Sequence, residues 1–279
     1  MLGITPQALA STYTRSSKDP WEVVHLYRTA TAYPDDWGAQ RVATAINTDP
    51  DIRFTGVTRS QIRVWVDGDG MPDAARAVAT TDRYGWTAND WTATTRALAT
   101  LVVGGYVCGS ITTTTYAPSW SPANPDTEQR ITTALAQVGC DATHVSRDSP
   151  KQGDEYRPKR HASHLGRALT VAGMPVGDKN AKSVTALPGW IDEIPEDFKL
   201  ELARLIVRER GTTYPRKATR QIQTDRGPQY FQDIAKLISD VTEAAVTATP
   251  TGVTVPAAAV RALGLTTDSA SYAGVLHEP

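Results

Sequence analysis

Two apolar stretches about 100 residues apart end alike, the sign of an internal duplication. Residues 91–111 read WTATTRALATLVVGGYVCGSI, with Leu98, Leu101, Val102 and Gly105 on one helical face. Residues 196–210 read EDFKLELARLIVRER, with Phe198, Leu200, Leu202, Leu205 and Ile206 as the apolar stripe. Each stretch runs into a glycine, Gly109 or Gly211, and then into a Thr-rich segment that alternates like a strand: ITTTTYAPSW or TTYPRKATRQIQT. In the first copy, 118–126 reads as a loop and 128–138 as a helix with Ile131, Leu135 and Val138 inward, stopped by Gly139. A hairpin over 140–148 and 154–160 and a helix over 161–172 follow. In the second copy the last amphipathic helix is 229–245. Gly104, Gly105 and Gly109 are expected to let another backbone approach closely. The fold class expected is α+β.

The N-terminal 90 residues follow a helical pattern. Residues 1–20 are polar and expected to be loosely ordered. A helix starts at Trp21. A second covers 37–46, with Asp35 or Asp36 as its cap and Trp37, Val42 and Ile46 inward. A third starts after the N-cap Thr58 and runs to Asp67, with Gly68-Asp69-Gly70 as a turn. Ile62, Trp65 and Val66 face inward, leaving Arg59, Ser60, Gln61 and Arg63 outward at the helix start, side chains suited to base edges and phosphates. This reads as a helix-turn-helix whose last helix contacts DNA, against the plainer reading of a three-helix bundle with solubilising arginines.

Charge distribution adds a second line of argument. The formal net charge is −1, but residues 151–226 carry 15 bases and 10 acids, a net of +5. The bases cluster around Arg157 and Lys159 and around Arg216, Lys217 and Arg220, the footprint of a polyanionic partner. Arg147, Thr112, Thr114 and Gln221 join them as candidate DNA contacts on the strands and hairpins. There are 21 Asp against 9 Glu, 21 Arg against 8 Lys, and 37 Thr, a composition of salt-adapted or GC-rich origin. The start lacks a basic end followed by an apolar core, and no apolar run reaches membrane length, so cytoplasmic placement is expected, with no membrane partner. Two cysteines, Cys108 and Cys140, make neither a disulfide framework nor a four-cysteine zinc site. His161 and His164, beside Lys159, Arg160 and Arg167, suit a phosphate contact better than a metal.

The stretch KNAKSVTALPGWIDEIPEDFKLELARLIVRERGTTY is similar to the LAGLIDADG family block "K…LP.WI…PE..K..FLRGLFDTDGSV". LATLVVGGYVCGSI resembles that family's "LAYLLGYVLGDGSI", and SHLGRALTVAGMPVG resembles the helix between its two motifs. The resemblance spans roughly 91–245. It implies a two-repeat αββαββα unit whose sheets form a saddle over duplex DNA, with an acid at the foot of each motif helix to bind divalent metal. On such a saddle Arg216 and Arg220, an even number apart, are expected to enter the groove and Lys217 to lie on its flank as a phosphate contact. The matching positions hold Cys108 and Arg210, and neither suits Mg²⁺. Glu209 is one residue away, about 100° off around the helix.

The expected organisation is a helix-turn-helix over 1–90, the two-repeat unit over 91–245, and a tail or packing element, suited to a homodimer contact, over 246–279. The expected function is sequence-specific binding of double-stranded DNA without catalysis, cofactor or metal, as a transcription regulator or a plasmid or virus replication or maintenance factor. The alternatives are an active endonuclease that recruits Glu209 or Asp225, and an RNA-binding module.

Overall fold

The computed structural model describes residues 1–14, 18–146, 153–215 and 217–265. It divides into two compact units, Gly3–Thr87 and Ala88–Pro279 with Met1–Leu2. Among the described residues there are 11 α-helices and two antiparallel four-stranded sheets. No helix among them is long and apolar enough to cross a membrane.

The Gly3–Thr87 unit is all-helical: α1 (Pro6–Ala10), α2 (Pro20–Ala30), α3 (Ala39–Thr48), α4 (Arg59–Val66) and α5 (Asp73–Tyr84). The opening residues are ordered rather than loose, because Leu9 and Ala10 of α1 are buried and α1 packs on α5. The core joins Leu26, Val42, Ile46, Val57 and Ile62 from α2, α3, the following loop and α4. Gly38, not Asp35 or Asp36, occupies the α3 N-cap. The Ala39 N–H instead donates to Asp67 Oδ1 at 2.7 Å, which ties the start of α3 to the end of α4.

The ten residues between α3 and α4 are held as a defined turn. Asn47 substitutes for a backbone partner: its side-chain amide donates to the Val57 carbonyl at 2.7 Å and accepts from the Val57 N–H at 2.8 Å. Val57 is buried, and Ile52 and Phe54 pack against the core.

The Ala88–Pro279 unit repeats one topology. The first copy is α6 (Ala93–Val107), β1 (Gly109–Ile111), β2 (Pro118–Trp120), α7 (Pro125–Gln137), β3 (Ala142–Val145), β4 (Glu155–Pro158) and α8 (Ala162–Val171). The second is α9 (Glu196–Arg210), β5 (Thr212–Tyr214), β6 (Lys217–Gln223), α10 (Pro228–Thr242), β7 (Thr247–Thr249), β8 (Gly252–Val255) and α11 (Ala257–Ala262). The strand orders are β1-β2-β4-β3 and β5-β6-β8-β7, the same arrangement twice. Residues 247–262, expected as a tail or packing element, thus supply two strands and a helix to the second copy. α6 packs on α9, and each also packs against a strand of its own copy.

Each Thr-rich segment is a hairpin rather than one strand. In the first, Thr112–Thr115 make the turn: Thr112 Oγ1 lies 2.6 Å from Thr115 Oγ1 and accepts from the Ala117 N–H. Local hydroxyl bonds of this kind compete with a ladder, which the alternating pattern alone does not reveal. The 118–126 stretch, expected as loop, begins with β2. Its Trp120 is fully buried, with the indole N–H donating to the Leu101 carbonyl. Gly104 and Gly105 of α6 admit side chains rather than a backbone: a Cβ on Gly104 would meet Ile131 and Trp120, and one on Gly105 would meet Met174. Gly109 of β1 does lie close to another backbone, since a Cβ there would be 2.9 Å from the Ser119 carbonyl oxygen as well as against Trp120. Gly166 of α8 also needs a close backbone approach, since a Cβ there would lie 1.7 Å from the Tyr116 carbonyl oxygen.

Candidate nucleic-acid interface

In α4 the Thr58 N-cap and Gln61 form a capping box, with the Thr58 N–H donating to Gln61 Oε1 at 2.8 Å. The Gln61 carbonyl oxygen expected at a base edge therefore closes its own helix start. Arg59, Ser60 and Arg63 remain exposed as expected. Arg59 lies 3.9 Å from Asp67. These residues line a shallow depression of about 540 Å³ together with Val64 and the turn to Gly70. Val64, 63% exposed, completes the outward face one turn after Ser60. Its outward place follows from the same helical phase that turns Ile62, Trp65 and Val66 inward.

Paired residues of an antiparallel sheet share a face, so burial decides which face each candidate occupies. In the second sheet Ile222 pairs with Val253, and both are buried. Positions 220 and 222 of β6 therefore face the helices, and 221 and 223 face outward. Nearer the start of β6 the register with β5 shifts between Thr213 and Tyr214, where Tyr214 pairs with Lys217. Arg220, expected to enter the groove, faces the helices: it pairs with buried Val255 and donates to the carbonyls of Leu265 at 2.8 Å and Val207 at 3.4 Å. Burial and the Arg208 charge both lower its pKa.

Lys217, expected on the flank, is exposed beside its pairing partner Tyr214, Gln223 is exposed, and Gln221 is half-buried on the same outward face. Thr212 and Thr254 pair with Gln221, Thr247 pairs with Thr254, and Tyr214 donates its hydroxyl to Gln221 Oε1 at 2.8 Å. Arg216 lies outside the described residues.

In the first sheet Tyr156 pairs with Trp120 and hydrogen-bonds Glu128 of α7, which marks the helix side. Arg157, Thr143, Ser119 and Ser110 take the other side. Arg157 is exposed but held by Glu155 at 2.6 Å. Lys159 is exposed just beyond β4, whereas Arg147 lies outside the described residues. Thr112 and Thr114 are exposed in the β1–β2 turn, off the strand face.

At the feet of α6 and α9, Cys108 caps the first helix and Arg210 ends the second. Burial pushes the Cys108 thiol up to about 12, with the Glu209 charge adding to the rise. The Lys179 ammonium donates to the Gly105 carbonyl at 2.7 Å and to the Gly109 carbonyl. Burial, then the charges of Arg226 and Arg210, lower it to about 8. Arg226 is buried and donates to the Lys179 carbonyl at 2.6 Å.

Glu209 accepts from the Ala123 N–H at 2.7 Å and from the Asn124 amide at 2.8 Å, so both its oxygens hold the entrance to α7. His161 and His164 stack with centroids 5.9 Å apart. Among the described residues no group of three His, Cys, Asp or Glu is placed to hold a metal. Compared with known proteins, the chain matches no family model and no curated protein.

Proposed function

We propose that this chain is a sequence-specific double-stranded DNA-binding protein, a LAGLIDADG-like scaffold without cleavage joined to a helix-turn-helix. Its role is that of a transcription regulator or a plasmid or virus replication or maintenance factor. One observation carries the reading. The outward face of the β5–β8 sheet presents threonines, Gln221, Gln223, Tyr214 and Lys217, and no carboxylate among the described residues. Hydroxyls and amides on alternate strand positions hydrogen-bond base edges, and the lysine neutralises phosphate.

The repeated αββαββα order and the α6–α9 packing support the scaffold assignment. The exposed Arg59, Ser60 and Arg63 support the second contact. Loss of cleavage is supported by the charges at the helix feet, where a thiol and three cations stand and the nearby carboxylate is engaged by α7.

Selection of bound sequences from a random duplex pool, followed by binding of the winner against a scrambled duplex and an RNA duplex, tests the proposal. A preferred DNA sequence is expected, with log affinity falling by about 0.9 per neutralised phosphate as log salt rises. Failure to enrich any sequence, or equal affinity for the RNA duplex, overturns it.

A further inference from the structure

On the helix side of the same unit, α6, α7, α9 and Gly264 just after α11 line an open cavity of about 650 Å³. Its lining is polar, and its arginines differ from those of a solvated surface. Arg130 and Arg208 have side chains 31% and 23% exposed, and they pair with Glu201 at 3.3 Å and Asp126 at 2.5 Å, which are 47% and 61% exposed. The cations therefore lie deeper and the carboxylates nearer the rim. Arg204 stands between them along α9. Its Nε donates to the Leu263 carbonyl at 2.7 Å, and among the described residues no carboxylate pairs with it.

A guanidinium oriented through Nε still has its Nη donors to present, the fork that matches phosphate oxygens. Gln129 and Thr133 of α7 add neutral hydrogen-bonding groups to the same wall. No aromatic side chain lines the cavity to stack a base. We propose that this cavity is a binding site for a compact phosphorylated small molecule, held by Arg204 with Arg130 and Arg208, the carboxylates of Glu201 and Asp126 acting as exchangeable placeholders. Exposed ion pairs are weak enough to be displaced by a dianion. The volume falls within the range of small-ligand sites. The inference does not depend on the DNA reading, since it concerns another surface of the unit.

Pyrophosphate is the probe, titrated calorimetrically into the full chain at low ionic strength. Saturable binding to one site is expected, together with a rise in melting temperature that grows with ligand concentration. Arg204→Gln is expected to weaken binding by about tenfold or more, the worth of a charge-assisted contact. Glu201→Gln and Asp126→Asn are expected to tighten it by removing a competing anion, an effect that loss of structure does not produce. These two variants keep the test decisive if Arg204→Gln melts early. Absence of pyrophosphate binding, or insensitivity to all three substitutions, overturns the proposal. A duplex oligonucleotide that displaces pyrophosphate overturns it too, because the site then serves the DNA backbone rather than a small ligand.

Discussion

The Lys179 ammonium sits at the C-terminal end of α6, where the helix dipole and two carbonyls welcome a cation but burial and two arginines oppose it. Its folded pKa, about 8, lies below the ordinary 10.5. Between those values the unfolded chain holds the extra proton, so stability rises with pH there. The thiols of Cys108 and Cys140 are pushed up to about 12 from 9.0, which makes stability fall above pH 9. Urea unfolding of the reduced chain from pH 8 to 9 should therefore favour the parent over Lys179→Gln by about 1 kcal/mol, the opposing contribution of the thiols being common to both. An identical pH dependence in the two chains would show that the ammonium is not desolvated.

On α4 the two kinds of side chain separate cleanly. Gln61→Ala should destabilise the helical unit by about 0.5–2 kcal/mol with site preference kept, because its amide closes a cap. Arg63→Ala should leave melting unchanged and cost about 1–3 kcal/mol for the preferred duplex, measured by fluorescence anisotropy. The exposure of Arg59, Ser60 and Arg63 was legible in the helical phase of Ile62, Trp65 and Val66. The capture of Gln61 was also open to view, since Thr58 and Gln61 have the capping-box spacing.

Strand parity is the element-scale counterpart. Arg220 faces the helices because it lies two residues from buried Ile222, the overlooked marker, whereas Lys217 is placed by its pairing with Tyr214 across a register shift that the sequence does not display. Lys217→Ala should lower the salt slope of duplex binding by about 1 and leave unfolding unchanged. Arg220→Ala should do the reverse, since it removes donors from the Val207 carbonyl of α9 and the Leu265 carbonyl at the close of the second copy and leaves the outward face intact. Equal slopes for both variants would exclude the sheet as the contact surface.

The elements that sequence periodicity found were the long ones with large apolar residues: α9 falls on its expected bounds, and α7, α8 and α10 lie within a few residues of theirs. The α5 stretch, DAARAVATTDRY, was missed because alanine and threonine make its buried face. The β1 and β2 strands are three residues each, too short for alternation to separate from their turn.

At the scale of the molecule, the two copies are tied across α6, α7 and α9 by Arg96–Asp197 at 2.6 Å and by the grip of Glu209 on residues 123 and 124. Releasing Glu209 for a metal would undo one of these ties. Supercoiled plasmid incubated with Mg²⁺ should therefore stay intact; nicking that disappears in Glu209→Gln would restore the endonuclease reading.

The repeat was visible as two motif helices, but its true length was not, because β7 and β8 are short and threonine-rich and follow a helix that looked like an ending. The order β5-β6-β8-β7 sets a timetable for synthesis. The first copy has all its strands once residue 158 has been made, whereas β6 waits for β8, completed only at residue 255. Until then the nascent chain displays β6 as a bare edge, with Ile222 lacking Val253 and able to recruit a strand from a neighbouring chain. A chain stopped at residue 245 should consequently pellet on centrifugation while one stopped at 265 stays in the supernatant, and the codons for residues 246–265 decide whether the ribosome has built a folded unit or a seed for aggregation.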